Sequence, residues 1–502
     1  MNTLAANLPA GAATAASVAQ PKGLAVIFLT EMWERFSYYG MRALLVLYLV
    51  HSLNYSDVQA QALYGTYIGL VYVTPLIGGW IADRWLGMRL SAVIGAIVMM
   101  LGHFAMAVPS LLHLALGLLI IGNGFFKPNT SSMVGELYDG PHDKRRDGGY
   151  TIFYMGINLG AFFSPFVCGT LGEKVGWHYG FAAAGVGMAL GTITLLGFQH
   201  LLGKSGLRAN QQPIGAKNVP VIAIFTAASI ALVYGVLAVW PMIEQLFAGS
   251  SVWVKGIAGL VFIAAALWLP TRIAGKKADS TPLTSAEWKR VIAICVVVIF
   301  SIAFWMGFEQ AGGSMNLFAD KLTDRIVFGW EIPASWFQSI NPVLILLMAP
   351  FFSMLWTAIN RSKFTLPDSA KQSFGLMFLG LGFVVMYAGQ GRADMHVLVS
   401  PLWLFFAYFL HTVGELMLSP VGLALTSRAA PVRMGALLMG VWMLSSSVGG
   451  KLAGSLGALM DGTGIQPYLF LTMTSIGAGI VLLLLTPILH KMLTSRDVST
   501  VA

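Results

Sequence analysis

The chain has 502 residues, of which 57% are hydrophobic and only 10% are charged. A soluble globular domain carries about 25% charged residues, so a water-soluble globular protein and a disordered chain are both excluded. The net charge of +9 does not indicate nucleic-acid binding, because the basic residues lie in short segments between apolar runs rather than along one stripe.

Fourteen apolar runs are long enough to cross a membrane, since a spanning helix needs roughly 20 apolar residues. The runs do not alternate as the strands of a membrane barrel would, so we predict an all-α membrane protein with fourteen transmembrane helices. The predicted spans are residues 24–50, 60–82, 90–109, 111–131, 150–172, 179–202, 219–241, 253–270, 290–318, 336–358, 373–390, 398–425, 435–459 and 467–490.

The loops between these spans differ in their content of lysine and arginine. The side that holds the amino terminus and every second loop carries 21 of these residues, and the other side carries 5. Because cytoplasmic loops are enriched in lysine and arginine, both termini are predicted to face the cytoplasm. For a bacterial protein, this means a multi-pass protein of the inner membrane.

The longest polar loops lie at residues 203–218 and 271–289 and bracket the seventh and eighth spans. We interpret the chain as two six-helix bundles with an inserted two-helix hairpin, a plan that places a site between the bundles. The predicted domains are residues 1–203 for the amino-terminal tail and first bundle, 204–289 for the linkers and inserted pair, and 290–502 for the second bundle.

The first span contains four ionisable residues, Glu31, Glu34, Arg35 and Arg42. Together with Tyr38 they fall on one helical face, about a third of the circumference wide at roughly 100° per residue. An ionisable group at the bilayer centre costs about 2.5–3.5 kcal/mol. We therefore interpret this face as the wall of a wet cavity. The alternative is a buried ion-pair network that only holds helices together, although such pairs stabilise poorly.

Other spans carry polar residues at helical spacing. They are Lys127, Tyr154 with Asn158, Trp305 with Glu309, Asn341, His411 with Glu415 and Ser419, and Trp442. Pro128 is expected to break the helix beside Lys127, and Pro342 to open the backbone inside the tenth span. His411 shares a face with Glu415, so it either lines the cavity or is a hydrogen-bonded packing residue.

The first half of the chain thus supplies cations and the second half supplies glutamates. A cavity between them would be positive on one wall and negative on the other, which suits a zwitterion such as a short peptide. Glutamates in such a cavity are also candidates for loading and releasing protons.

Three motifs identify a family resemblance that covers nearly the whole chain. Residues 31–40 (EMWERFSYYG) resemble the ExxERFxYYG motif, and residues 153–160 (FYMGINLG) resemble the FYxxINxG signature, of the proton-dependent oligopeptide transporter family of the major facilitator superfamily. Residues 78–87 (GGWIADRWLG) resemble the loop motif of the superfamily. The resemblance implies the major facilitator fold and a proton-coupled symporter that imports di- and tripeptides by alternating access.

The resemblance also implies roles for individual residues. The proton-coupling set is Glu31, Glu34, Arg35 and Glu309. The substrate-binding set is Arg35, Tyr38, Tyr39, Arg42, Tyr72, Lys127, Tyr154, Asn158, Trp305, Glu309, Asn341, Glu415, Ser419 and Trp442. Asp83 and Arg84 are the expected gating residues. Arg42–Glu309 and Lys127–Glu415 are the pairs expected to close the cavity between the two halves.

Other functions remain as alternatives. A carrier of the same fold could transport nitrate, a sugar or a drug, and a membrane receptor would bind without transporting. We expect neither an enzyme nor a cofactor or metal site, because no nucleophile–base set and no metal-ligand spacing is visible. The expected partners are peptides, protons and membrane lipids, without nucleic acid, and the expected state is a monomer.

Overall fold

The chain is almost entirely helical. The computed structural model describes residues 19–140, 143–208, 211–246, 283–361, 366–395, 397–431 and 434–495. The α-helices of these residues are α1 (Lys22–His51), α2 (Asp57–Ile81), α3 (Met88–Met106), α4 (Leu112–Gly135), α5 (Arg146–Ser164), α6 (Trp177–Gly197), α7 (Val219–Leu246), α8 (Ser285–Phe308), α9 (Ser314–Lys321), α10 (Ile340–Arg361), α11 (Asp368–Ala393), α12 (Leu402–Ala429), α13 (Gly435–Met460) and α14 (Pro467–Leu493). Two short antiparallel strands, β1 (Ile326–Val327) and β2 (Trp330–Glu331), form a hairpin.

The helices agree with the predicted spans wherever the structure describes them. Thirteen predicted spans coincide with helices, and the span 253–270 lies outside the described residues. Eleven helical stretches among the described residues are long and apolar enough to cross a membrane. Helices α1, whose ionisable residues interrupt the apolar sequence, and α13 are not among these eleven. The all-α prediction is confirmed, whereas the count of fourteen spans stays a prediction.

The ninth predicted span is not one continuous helix. Helix α8 ends at Phe308, a 3₁₀ turn follows over Glu309–Gly312, and α9 begins at Ser314. A Cβ atom on Gly312 would lie only 2.2 Å from the Tyr64 hydroxyl oxygen, so glycine permits the close approach of α2 at this turn. The break places Glu309 at the contact between the two halves of the chain.

The two prolines do not act as predicted. Helix α4 continues past Pro128 to Gly135 instead of breaking. The side-chain amide of Asn129 donates to the Phe125 carbonyl oxygen at 2.6 Å and supports this turn. Pro342 lies in the first turn of α10, directly after the 3₁₀ helix Ala334–Ser339, and proline is tolerated in the first turn of an α-helix. It therefore does not open the backbone inside the span.

The helices form two bundles. In the first, α1 packs against α5 and α6, and α3 against α4 and α6; in the second, α11 packs against α12 and α14, and α8 against α13 and α14. The bundles meet along α2–α13 and α5–α10, and α7 packs on α3 and α4. The predicted domain boundaries stay predictions, since residues 247–282 lie outside the described part of the chain.

The bundles come closest where α2 crosses α13. A Cβ atom on Gly454 would lie 2.2 Å from the Gln61 carbonyl oxygen and 2.6 Å from the Gly65 Cα atom. Only glycine fits on both sides of this crossing. We call the end of the molecule where α1 begins and α14 ends the terminal end, and the other the opposite end. The crossing lies towards the opposite end.

Polar contacts join the two bundles at the opposite end. Lys321 Nζ lies 2.7 Å from Asp57 Oδ1, and His51 Nε2 lies 2.6 Å from Asp320 Oδ2. Glu173 accepts hydrogen bonds from the backbone N–H groups of Ala334 and Ser335.

The hairpin is tied to the first bundle at the same end. Lys174 Nζ lies 2.9 Å from Glu331 Oε2. This hydrogen bond and the nearby charge of Arg325 hold the pKa of Glu331 below its usual value, so Glu331 stays ionised. The opposite end is therefore closed.

Candidate functional site

The ionisable face of α1 is a compact buried cluster. Arg35 Nε lies 2.5 Å from Glu34 Oε2 and 3.6 Å from Glu31 Oε1. Lys127 Nζ on α4 lies 2.5 Å from Glu31 Oε1, and the Thr130 hydroxyl donates to Glu31 Oε2 at 2.9 Å. These two cations and two carboxylates balance one another, and all four come from the first bundle.

The expected Lys127–Glu415 pair is absent. In this conformation Lys127 bonds to Glu31, one helix away within its own bundle. Thr130 lies three residues after Lys127 on the same face of α4 and holds Glu31 in place for that bond. Glu415 instead accepts a hydrogen bond from Asn341. Lys127 and Glu415, which were expected to pair with each other, therefore each bond to a different residue.

Arg42 and Glu309 do form an ion pair between the bundles. Arg42 Nη2 lies 2.8 Å from Glu309 Oε2, and both side chains are buried. The Tyr64 hydroxyl accepts from Arg42 Nε at 2.7 Å and donates to Glu309 Oε2 at 3.1 Å. The three residues join α1, α2 and the turn after α8 in one closed set of hydrogen bonds.

Glu415 on α12 lies in a separate polar group of the second bundle. The side-chain amide of Asn341 donates to Glu415 Oε2 at 2.9 Å and to the Thr412 hydroxyl at 3.0 Å. None of the ion pairs between described residues includes Glu415. Its carboxylate is thus held by an amide and left uncompensated by a cation.

A cavity of about 170 Å³ lies between the two bundles. Seven of the predicted substrate-binding residues line it: Tyr39, Arg42, Tyr154, Asn158, Asn341, Glu415 and Ser419. Four of them come from the first bundle and three from the second. The cavity therefore has a cation on one wall and a carboxylate on the other.

The other predicted substrate-binding residues do not line this cavity. Tyr38 is buried, and its ring stacks on Tyr67. The centroid of the Tyr38 ring lies 4.9 Å from the guanidinium carbon of Arg35. Trp305 packs on Gly449, and Trp442 packs on Gly422. Tyr72, Arg35, Lys127 and Glu309 also lie outside the lining set.

The predicted gating residues lie at the terminal end. Asp83 and Arg84 occur in a π-helical turn, Ala82–Leu86, that extends α2. Each has an interaction partner. Their gating role stays a prediction.

Sequence reasoning missed three residues of the site. Tyr64 bridges Arg42 and Glu309, Thr130 binds Glu31, and Asn123 accepts a bond from Arg35 Nη2 at 3.4 Å. Two of them could have been found from their spacing, since Asn123 lies four residues before Lys127 on α4 and Thr130 lies three residues after it. Tyr64 carried no such signal.

His411 lines the cavity with one part of its ring and packs with the rest. Its ring centroid lies 4.6 Å from that of Phe383, and its edge rests on Gly382. Its Nε2 atom has no hydrogen-bond partner among the described residues, so the structure agrees with the cavity-lining alternative and the hydrogen-bonded packing role stays a prediction.

The site as a whole holds three cations, Arg35, Arg42 and Lys127, and four carboxylates, Glu31, Glu34, Glu309 and Glu415. Of these seven residues, only Arg42 and Glu309 form an ion pair across the bundles. A change in charge at Glu309 acts directly on the contact between the bundles, whereas a change at Glu31 acts on Lys127.

A sequence model described as the POT family matches residues 91–467. The chain belongs to the POT family. The recognition made from the three sequence motifs is thereby confirmed.

Individual relatives cover almost the whole chain. The chain is 36% identical to the peptide transporter YePEPT of Yersinia enterocolitica, over 94% of this chain and 95% of that protein. It is 33% identical to a di-/tripeptide transporter of Lactococcus lactis, over 94% of this chain and 97% of that protein. A crystal structure of a POT family transporter in complex with a thioalcohol-conjugated peptide matches with a TM-score of 0.77. The two chains are 31% identical, and the match covers 93% of this chain and 96% of that chain. The predicted major facilitator type of fold is confirmed by this likeness.

Proposed function

We propose that this chain is a proton-coupled symporter that imports di- and tripeptides by alternating access. The observation that carries the proposal is the interbundle cavity, which Arg42 lines from one bundle and Glu415 from the other. Opposite charges on facing walls match the two ends of a peptide zwitterion. The relatives named peptide transporters support the same substrate class.

In this proposal the peptide lies across the cavity. Its carboxylate binds Arg35, Arg42 and Lys127, and its amino group binds Asn158, Asn341 and Glu415. Tyr38, Tyr39, Tyr72, Tyr154, Trp305, Ser419 and Trp442 contact the backbone and side chains. Among the described residues Glu415 forms no ion pair and is bonded by the Asn341 amide, which supports its role as the partner of the amino group.

Protons act on the glutamates that hold cations. A proton on Glu31 removes its charge and releases Lys127 to bind a carboxylate. A proton on Glu309 weakens its bond to Arg42 and so loosens the contact between the bundles. Glu34 and Arg35 complete the coupling set, because they share the cluster with Glu31.

We infer that the structure corresponds to a state closed at the opposite end and accessible from the terminal end. Lys321–Asp57 and His51–Asp320 join the bundles at the opposite end. With both termini in the cytoplasm of a bacterium, this is the inward-facing state. We further propose that the transporter lies in the inner membrane, works as a monomer among lipids, and needs no cofactor.

Flux measurements test the proposal. The purified full-length chain is reconstituted into liposomes with an inward acid gradient, and labelled di-alanine is followed with and without an uncoupler. We expect accumulation above the external concentration, which the uncoupler abolishes. Binding without flux would identify a receptor. Uptake that nitrate, a sugar or a drug blocks but unlabelled dipeptides do not would identify a different carrier.

A further inference from the structure

The tip of the β-hairpin combines two features that each disfavour a phenylalanine. Phe328 adopts φ 51°, in the left-handed region, and Gly329 follows with φ 79°. A bulky residue in that region is a genuine outlier, and glycine, asparagine and aspartate are preferred at such turns. The Phe328 side chain is also 105% exposed, so it gains no packing from the rest of the chain.

The other positive-φ residue of the described chain that is not glycine provides the contrast. Asn54, in the loop between α1 and α2 at the same end of the molecule, has φ 55°. Asparagine tolerates this conformation because its short polar side chain bonds locally. Phe328 has a similar φ and is likewise exposed, but it carries an aromatic ring instead.

The apolar surface continues on both strands. Ile326 is 66% exposed, and Val327 and Trp330 are exposed as well. Four of the five residues from 326 to 330 therefore present apolar side chains outward. Aromatic residues of this kind are enriched where a membrane protein meets the membrane–water interface.

The position of the hairpin relative to the membrane follows from its attachment to the turn between α5 and α6. Lys174 bonds to Glu331 at 2.9 Å and lies 6.0 Å from the centroid of the Trp330 ring. In that turn a single residue, Gly176, separates the spanning stretches Arg146–Val175 and Trp177–Gly197. The stretch Trp177–Gly197 has 21 residues, about 32 Å of helix, which matches the roughly 30 Å of hydrocarbon, so we place the turn at its start and the attached hairpin near the membrane boundary.

We propose that the hairpin tip inserts Phe328 into the boundary between headgroups and acyl chains of the phospholipid leaflet at the opposite end. The exposed Val175 and Tyr179 beside the attachment site extend the same apolar rim on the first bundle. The hairpin lies between α9 and α10 and so belongs to the second bundle, whereas Lys174 belongs to the first. Both bundles therefore contact lipid at this point. This contact is independent of the transported substrate.

Photo-crosslinking in proteoliposomes tests the insertion. The full-length chain is produced with p-benzoylphenylalanine in place of Phe328 and, as the matched control, in place of Asn54. After irradiation, we expect phospholipid adducts at position 328 to exceed those at position 54 at least about tenfold by mass spectrometry. Equal lipid labelling at the two positions, or adducts at 328 with protein alone, would overturn the proposal.

A second measurement guards against a loss of folding. F328C and N54C are labelled with a fluorophore, and nitroxides attached to lipids near the headgroup quench the emission. We expect quenching of the label at 328 to exceed that at 54 severalfold. Similar quenching at both sites would overturn the proposal. F328N keeps the turn geometry and serves to establish that the hairpin folds without the ring.

Discussion

Glu309 holds Arg42 and Tyr64 at the same time, so its charge determines how firmly α1, α2 and the turn after α8 are joined. The pair is buried, and removing one partner of a buried pair leaves the other charge uncompensated. A glutamine at this position keeps the shape of the side chain but carries no charge and takes up no proton.

We expect E309Q to abolish proton-driven accumulation of labelled dipeptide. Exchange of labelled for unlabelled dipeptide across the liposome membrane should remain, because exchange needs no net proton movement. E136Q is the control, since Glu136 accepts a bond from the Gly206 N–H within the first bundle. Uphill uptake by E309Q at the normal rate would contradict its coupling role.

The amino end of the peptide is assigned to Glu415, and E415Q tests that assignment. A hydrogen bond to a charged group contributes about 1.5–3 kcal/mol, so we expect KM for di-alanine to rise roughly 10- to 100-fold. Asn341 still has an oxygen to bond in the variant. An N-acetylated dipeptide, which has no cationic end, should show no such difference between variant and wild type. A similar loss for both peptides would contradict the assignment.

Among the elements, the α2–α13 crossing limits how closely the bundles approach. A Cβ atom at Gly454 would meet the Gln61 carbonyl oxygen at 2.2 Å, whereas one at Gly457 would meet only the Val58 side chain at 3.3 Å. The two glycines lie one turn apart on the same helix. They form a matched pair for the same substitution.

We expect G454A to hold the opposite end apart and G457A to change little. Overpacking typically costs about 1–3 kcal/mol, which would lower the population of the closed state roughly 5- to 150-fold. Spin labels at Ser52 and Asp324 report the separation of the bundles, and di-alanine uptake reports the consequence. Equal distances in the two variants would show that the crossing does not limit closure.

The elements of the site were predictable to different degrees, for physical reasons. The face of α1 was predictable because Glu31, Glu34 and Arg35 in an apolar run can only be explained by a polar surrounding. Tyr64 was not, since tyrosine is ordinary in spans and its hydroxyl gains meaning only when α8 turns beside it. Pro128 and Pro342 were misjudged because tertiary contacts and helix position override the tendency of proline to break a helix.

At the scale of the whole molecule, the sequence indicates two bundles but not which end of the pair is closed. The sequence places Lys127 on a face of its helix without selecting Glu31 or Glu415 as its partner. The closed opposite end rests on contacts between residues far apart in the chain, such as Asp57 and Lys321. Such pairs follow from the folded geometry and not from local spacing.

Charge reversal tests the closure at the opposite end. D57K and K321D each place like charges where an ion pair stood, and the double variant D57K/K321D restores opposite charges. An exposed pair contributes about 0.2–1 kcal/mol, so each single variant should shift the conformational equilibrium by up to roughly fivefold. The distance between spin labels at Ser52 and Asp324 measures the shift. Failure of the double variant to recover the wild-type distance would contradict a direct pairing.

The inventory of three cations and four carboxylates has an electrical consequence. Counted as formal charges, these groups give the empty site one excess negative charge, which a single proton with a zwitterionic peptide neutralises. A membrane potential that is negative inside therefore favours the return of the empty carrier to the outward-facing state, by about 2.3 kcal/mol per charge per 100 mV. The same potential does not affect the conformational change of the loaded carrier, which has no net charge at the site. Potassium–valinomycin potentials should accelerate net uptake while leaving exchange, which omits the empty return, at the same rate.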